Sequence, residues 1–212
     1  MFALGAEAAG LLLARRATAS GLSPTLAWPL LVVAFAAGLA GARLFFVLLY
    51  PKTAGGWAQL PDIWHGGLVS YGGLAAGSLA AYAYVRRYAP DQALAWYDCA
   101  VVATLTAWGI GRIGNFIAGD STGVSSAVWQ VTYGKVPIQL FESLLCLGLA
   151  AWLWRRQWEP GRAAVVGAIG YFAGRLLIDT WRDEPVFLSM HASQWTSLAL
   201  LVMLSLYAFA RR

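Results

Sequence analysis

Long apolar stretches separated by short polar segments occupy most of this chain. Six of these stretches are each about long enough to cross a hydrocarbon core of roughly 30 Å as a helix. The pattern therefore predicts six membrane-spanning helices. They are Thr25 to Tyr50, Gly66 to Val85, Trp96 to Ile117, Ile138 to Trp154, Ala163 to Trp181 and Ser193 to Ala210.

A shorter apolar stretch, Phe2 to Ala14, is a seventh candidate. It carries Glu7 and has no basic residue ahead of its apolar part, so a signal peptide is not expected. The segments between stretches are short, the longest being Ala118 to Pro137. We predict an all-α polytopic membrane protein with seven transmembrane helices, forming a single transmembrane domain over residues 1–212.

Composition supports a membrane protein. Of the 212 residues, 59% are hydrophobic and only 12% are charged, which is more apolar surface than a soluble domain of this length can bury. Cys99 and Cys146 lack metal-ligand spacing and are expected to be small core residues. Neither a metal nor a cofactor is expected.

Basic residues come in pairs at the ends of alternate spans and do not form a patch, so the net charge of +5 does not indicate nucleic-acid binding. Because cytoplasmic loops are enriched in arginine and lysine, these pairs mark the cytoplasmic side. With seven spans, the amino terminus then lies outside and the carboxyl terminus in the cytoplasm. The pairs are Arg15/Arg16, Arg86/Arg87, Arg155/Arg156 and Arg211/Arg212.

Two polar clusters close apolar runs at the opposite, outer side. In GRIGNFIAGD, Arg112 offers a planar fork of donors suited to phosphate, and Asn115 lies three positions later on nearly the same helix face. Asp120 is a candidate partner that orients Arg112 or Arg175. The alternative is an interhelical ion pair without a ligand. Charge at such positions is costly, which favours a functional site.

In GYFAGRLLIDTWRDEP, the spacings of four, four and three place Tyr171, Arg175, Asp179 and Arg182 on one stripe of a helix. Such a stripe is expected to face away from lipid. Gln139 and Glu142, three residues apart at the start of the span Ile138 to Trp154, add a further polar face. The outer half then holds four cations against three anions, an excess that one bound phosphate would match. The cations are Arg43, Arg112, Arg175 and Arg182, and the anions are Asp120, Glu142 and Asp179.

Two further features leave alternatives open. Arg43 either contacts a neighbouring helix or interface, or supplies positive charge to an inward cavity, with Gly38 and Gly41 permitting close helix approach. The segment WHGGLVSYGGLAAG, residues 64–77, contains two Gly-Gly pairs, which predict either irregular backbone able to approach a ligand or helix packing through Gly73 and Gly77.

These motifs resemble those of the prolipoprotein diacylglyceryl transferase family. GRIGNFIAGDSTG is similar to the family signature, and four other segments follow in matching order. Those segments are WHGGLVSYGG, VPIQLFES, GYFAGRLLIDTWRDEP and LSMHASQWTSL.

The resemblance implies a bacterial inner-membrane enzyme that transfers diacylglyceryl from phosphatidylglycerol to the lipobox cysteine of a prolipoprotein signal segment. It implies catalytic roles for Tyr71, Arg112 and Arg175, and no metal. It also implies substrate-binding roles for Arg43, Asn115, Asp120, Gly123, Gln139, Glu142, Tyr171, Asp179 and Arg182.

Several positions depart from the family pattern. Tyr71 stands where the family has a histidine, and a phenol with an unperturbed pKa near 10 is a poor base at neutral pH. His65 and His191 are alternative bases. Ala118 replaces an asparagine, and the periplasmic head loop, residues 121–136, is reduced. These departures motivate two alternative functions: a weak or inactive paralogue that binds phospholipid or signal segments, and a lipid transferase with another acceptor.

Overall fold

The computed structural model describes residues 2–64, 66–119, 123–132 and 134–210, and these are mainly helical. Short 3₁₀ turns, including Ala127–Thr132 and Asp179–Trp181, join several of the helices. The elements are α1 (Phe2–Ala19), α2 (Ala27–Leu49), α3 (Pro51–Ala54), α4 (Ser70–Tyr88), α5 (Ala93–Ile117), α6 (Ile138–Trp154), α7 (Arg162–Ile178), β1 (Val186–Phe187), β2 (Met190–His191) and α8 (Ala192–Ala210).

Four helical segments of the described chain are long and apolar enough to cross a membrane, and α6 is a shorter apolar helix. They are Pro24–Leu49, Pro90–Ile117, Arg162–Trp181 and Ala192–Ala210. The prediction of a mainly helical membrane protein is therefore confirmed. Membrane crossing by α1, α4 and α6, and with it the count of seven spans, stays a prediction.

Two predicted helix boundaries were wrong. The first helix continues to Ala19 rather than ending near Ala14, so Arg15 and Arg16 lie inside it. The predicted span from Gly66 begins instead at Ser70. Gly66 and Gly67 have φ values of 82° and 74°, a left-handed conformation that ends any regular helix.

The described residues form two compact units, the first comprising residues 1–16 and 97–212 and the second residues 17–96. The prediction of one domain stays a prediction. In the first unit, α5, α6 and α7 enclose an apolar core, in which the fully buried Cys146 and Leu153 lie with Val102 and Ala163. Cys99 is also buried, so both cysteines occupy the core positions expected of them.

Buried polar groups hold both ends of the connection between α6 and α7. Arg16 donates hydrogen bonds to the carbonyls of Trp154 (2.6 Å) and Arg156 (2.9 Å) at the end of α6. Asp98 of α5 accepts from the backbone amides of Gly161 (2.7 Å) and Ala164 (2.8 Å). Because Gly161 precedes α7 and has no side chain to cap it, the carboxylate of Asp98 satisfies these amides instead.

In the second unit, glycines let α2 and α4 pack backbone against backbone. A Cβ on Gly41 would lie 2.6 Å from the carbonyl oxygen of Gly72, and one on Gly77 would lie 2.9 Å from that of Ala34. Small residues are therefore required on both helices. The second Gly-Gly pair serves helix packing, whereas the first adopts the irregular backbone that the sequence offered as its alternative.

Arg43 is buried within this second unit. Its terminal nitrogens donate to the carbonyls of Gln59 (2.6 Å), Gly66 (2.8 Å) and Gly67 (3.3 Å). The guanidinium thus satisfies the backbone of the irregular segment before α4. This contact corresponds to the structural alternative left open for Arg43, and its predicted substrate-binding role stays a prediction.

Candidate active site

Glu142 is the centre of a buried polar cluster in the first unit. It lies in the second turn of α6, and its side chain is only 1% exposed. Its Oε1 accepts hydrogen bonds from Trp108 Nε1 (2.8 Å) and Tyr171 Oη (3.0 Å). Trp108 comes from α5 and Tyr171 from α7, so one carboxylate joins three helices.

Two arginines from different helices contact this carboxylate. Arg175 Nη1 of α7 lies 2.5 Å from Glu142 Oε1, and Arg112 Nε of α5 lies 2.7 Å from Glu142 Oε2. The Arg112 contact is an ion pair whose angle lies outside hydrogen-bond geometry. The Arg112 guanidinium also lies 5.2 Å from the ring centre of Trp108, a cation–π contact.

A second carboxylate extends the cluster beyond α7. Asp179 is fully buried, and it accepts from Arg175 Nε (3.1 Å) and Arg182 Nε (3.0 Å). Arg182 in turn donates to Glu184 (2.9 Å). The ion pairs are therefore continuous from Arg112 to Glu184.

The predicted stripe on the span Ala163 to Trp181 is confirmed as a set of contacts, with one correction. Tyr171, Arg175 and Asp179 follow at helical spacing, and Arg175 Nη1 lies 3.3 Å from the Tyr171 hydroxyl. Arg182, however, is not helical: after the turn Asp179–Trp181 its backbone is extended. The chain leaves the helix there, and the Arg182 side chain returns to Asp179 from outside it.

The described part of the head loop packs beside this end of α7. Gly123 forms an antiparallel bridge with Arg182, and the Val124 amide donates to the Trp181 carbonyl (2.8 Å). A Cβ on Gly123 would overlap the carbonyl of Val136. This glycine thus allows close backbone approach, and its predicted contact with substrate is untested.

The cluster is electrically balanced in the part of the chain that the structure describes, with Arg112, Arg175 and Arg182 facing Glu142, Asp179 and Glu184. Burial by itself would lower the pKa of Arg182, but its contacts with Glu184 and Asp179 raise that pKa overall, so it stays charged.

Balance does not mean that every donor is occupied. Among the described residues, the hydrogen bonds and ion pairs of Arg112 involve Nε alone, and those of Arg175 leave Nη2 without a partner. Arg112 is 19% exposed, so its two terminal nitrogens can be reached from outside the cluster.

Two other predicted site residues lie on helices that contribute to this cluster. Asn115 is half-buried near the end of α5, and Gln139 is buried in the first turn of α6. Tyr71 is exposed at the start of α4, in the second unit. Asp120 and His65 lie outside the described residues.

Sequence reasoning underestimated one member of the cluster and overlooked two more. Glu142 was predicted as a polar contribution and a substrate-binding residue, but not as the carboxylate that contacts both arginines, although a carboxylate inside an apolar span is itself a signal of function. Trp108 precedes Arg112 by one helical turn, a spacing that predicts contact. Glu184 is two residues after Arg182, in a segment with no regular period to reveal the pairing.

Comparison with known proteins agrees with these motifs. The family model described as prolipoprotein diacylglyceryl transferase matches residues 1–210. The chain is 33% identical over 198 residues to the phosphatidylglycerol–prolipoprotein diacylglyceryl transferase of Streptococcus mutans serotype c, covering 81% of this chain and 73% of that protein. It is 30% identical over 227 residues to the protein of the same name from Streptococcus pyogenes serotype M5, covering 95% and 85%.

The match covers nearly the whole chain, including every helix that contributes to the cluster around Glu142. This chain belongs to the prolipoprotein diacylglyceryl transferase family.

Proposed function

We propose that this protein transfers the diacylglyceryl group of phosphatidylglycerol to the cysteine thiol of a lipobox, at the outer face of the cytoplasmic membrane. Its amino terminus would lie outside and its carboxyl terminus in the cytoplasm. The names of its relatives support this choice of substrates. The structural observation that supports the proposal is that Arg112 and Arg175 contact the same carboxylate from separate helices. Both arginines nevertheless keep terminal N–H donors without a partner among the described residues.

Those free donors suit a phosphodiester. Glu142 lies between the two guanidiniums and fixes them through Arg112 Nε and Arg175 Nη1, so they are oriented before any ligand arrives. A phosphate oxygen then needs only the remaining N–H groups, which form short, charge-assisted bonds. Asn115, three residues after Arg112, is a further donor for the head group.

The reaction is a displacement at carbon. A base removes the thiol proton, and the thiolate attacks the glyceryl carbon that bears the phosphate. The sulfur–carbon bond forms as the carbon–oxygen bond breaks, and glycerol phosphate leaves with the electron pair. Arg112 and Arg175 stabilise the charge that develops on the departing oxygen, which is stronger stabilisation than the substrate receives.

The base is one of three side chains or a water molecule. Tyr71 is exposed and unpaired among the described residues, and His65 lies outside them. His191 is 7% exposed and belongs to the same unit as the arginines, and its Nδ1 is buried without a hydrogen-bond partner in the described structure. β2, which contains His191, packs against the turn that begins with Asp179. We propose His191 ahead of Tyr71.

Arginine variants test the transfer itself. Purified protein is incubated with phosphatidylglycerol and a lipobox peptide, and the lipidated peptide and glycerol phosphate are measured by mass spectrometry. We expect Arg112→Ala to lose about 100-fold or more of the rate, as removal of a preorganised donor does elsewhere. Arg175→Lys, which keeps the charge but not the fork of donors, should lose activity while remaining folded.

Arg162→Ala is the matched control, because Arg162 is exposed and pairs only with Glu159 at the opposite end of α7 in the described structure. Its activity should equal that of the unmodified protein. Wild-type rates in Arg112→Ala and Arg175→Lys would refute the proposed site.

Base variants separate the remaining possibilities. If His191 is the base, His191→Gln should lose most of the turnover, whereas Tyr71→Phe should leave the rate unchanged. Loss of turnover in Tyr71→Phe alone would assign the role to the phenol. Unchanged turnover in both would indicate His65 or water.

Two alternatives remain distinguishable by product. A paralogue that only binds phospholipid would retain phosphatidylglycerol at the arginines and yield no lipidated peptide. The replacement of the family histidine by Tyr71 motivates this alternative. A transferase with another acceptor would leave the lipobox peptide unmodified and would release glycerol phosphate only when a nucleophile that it accepts is added to the assay.

A further inference from the structure

A two-residue hairpin joins the cluster end of α7 to α8. β1 pairs with β2 in antiparallel register, Val186 opposite His191 and Phe187 opposite Met190. The turn residues Leu188 and Ser189 have φ values of 47° and 65°. Hairpin turns of this length favour asparagine and glycine, which adopt the left-handed conformation readily.

The tip of this hairpin is apolar as well as strained. Val186, Phe187 and Leu188 are 60%, 69% and 72% exposed. Leucine is an unfavourable residue for a left-handed position. If the tip were surrounded by water, no burial of the leucine side chain would offset that cost. The combination indicates that the tip is buried in something other than this chain.

The hairpin lies at the membrane face. One candidate span ends at Trp181 and the next begins at Ala192. At about 3.3 Å per residue, Leu188 is no more than roughly 13 Å along the chain from the start of α8. Trp195, in the first turn of α8, donates from Nε1 to the Phe187 carbonyl (2.9 Å), which holds the hairpin against the helix.

The apolar surface of the hairpin adjoins an exposed apolar side of α8. Trp195, Leu198, Val202 and Leu206 follow at helical spacing, and all are exposed in the described structure. Tryptophan is enriched where helices meet the membrane interface, which is where Trp195 contacts the hairpin. This exposed apolar side of α8 thus leads to Phe187 through Trp195.

We propose that residues 186–188 insert into the interfacial layer of the phospholipid leaflet at which α7 and α8 end. The partner is the phospholipid surface itself, bound through apolar burial. Arg182 precedes β1 by only four residues and is tied to Asp179, so insertion would fix the depth of this end of the ion-pair cluster relative to the lipid phosphates. The inference is independent of catalysis.

Depth-dependent quenching tests the proposal. Leu188→Cys is labelled with an environment-sensitive fluorophore and reconstituted in vesicles of phosphatidylglycerol and phosphatidylcholine that contain spin-labelled lipid. The native Cys99 and Cys146 are buried, so the label reacts at the introduced cysteine. Asp183→Cys is the control, because Asp183 lies in the same connection and is exposed.

We expect several-fold stronger quenching by the spin-labelled lipid at position 188 than at 183, with protection of position 188 from aqueous iodide. Equal quenching at the two positions, or iodide access to both, would overturn the proposal.

A second variant separates insertion from folding. Leu188→Asn supplies a residue that the turn favours, so the hairpin should remain formed. A label at Val186→Cys should then lose at least half of its lipid quenching, because the apolar tip is weakened. Unchanged quenching in the Leu188→Asn background would contradict insertion through these side chains.

Discussion

Glu142→Gln is the sharpest test of the cluster on which the proposed site depends. The substitution keeps the shape of the side chain and removes its charge. The new amide oxygen would still accept from Trp108 and Tyr171, but Arg112 and Arg175 would be left beside a neutral group.

The expected loss follows from these contacts. Removing one partner of a buried ion pair typically costs about 3 to 5 kcal/mol, because the other charge is left uncompensated. The retained acceptor keeps the two neutral hydrogen bonds, each worth about 1 kcal/mol. We therefore expect a decrease of about 3 kcal/mol in the free energy of unfolding, the lower end of that range. For a chain of this size that corresponds to a Tm lower by roughly 6 to 12 °C.

The two free cysteines provide the assay. Cys99 and Cys146 are buried, and Cys146 lies one turn after Glu142. A thiol-reactive dye that fluoresces on coupling therefore reports unfolding as detergent-solubilised protein is heated. Glu184→Gln is the matched control, since Glu184 is 39% exposed at the far end of the same ion pairs. Its effect should stay below about 1 kcal/mol.

A Tm for Glu142→Gln equal to that of Glu184→Gln would refute the reasoning. It would mean that the guanidiniums do not depend on the Glu142 carboxylate for compensation. The proposed preorganisation of Arg112 and Arg175 would then have no basis.

Two more substitutions test the packing that holds the helices. Gly41→Ala should lower the free energy of unfolding by about 1 to 3 kcal/mol, because the new Cβ would overlap Gly72. Gly148→Ala is the control and should be neutral or stabilising, because no atom lies within 4 Å of its Cβ position. Equal Tm values for the two variants would contradict the close approach of α2 and α4. Asp98→Asn should lower the free energy of unfolding by about 1 to 3 kcal/mol, because one backbone amide at the start of α7 loses its acceptor. Asp91→Asn is the control, and because Asp91 is exposed it should change the Tm little. Faster hydrogen exchange confined to the start of α7 in Asp98→Asn would identify the lost cap.

Much of the fold was predictable because its signals are local. Apolar runs of about twenty residues identify candidate spans, and the left-handed Gly66 and Gly67 fall at a Gly-Gly pair that predicted irregular backbone. Boundaries were less predictable. α1 continues to Ala19, past the end of its apolar run, and the carbonyls near the end of α6 that accept the Arg16 guanidinium lie about 140 residues away in the sequence.

The contacts of the candidate site were likewise predictable only where they are local in the sequence. Spacing alone brought Tyr171, Arg175 and Asp179 together, since residues four apart on a helix share a face. It could not reveal that Arg182 reaches Asp179 from an extended segment. The pairing depends on where the helix ends, and that is decided by contacts beyond it.

The apolar runs and motifs are enough to identify a helical membrane protein of the transferase family and the charged side chains within its candidate spans. The contact of Glu142 with both Arg112 and Arg175 became visible only in the folded structure. The physical reason is that pairing between helices depends on their rotation and depth relative to one another. Those are set by packing over whole helix faces, and no periodicity within one helix encodes them.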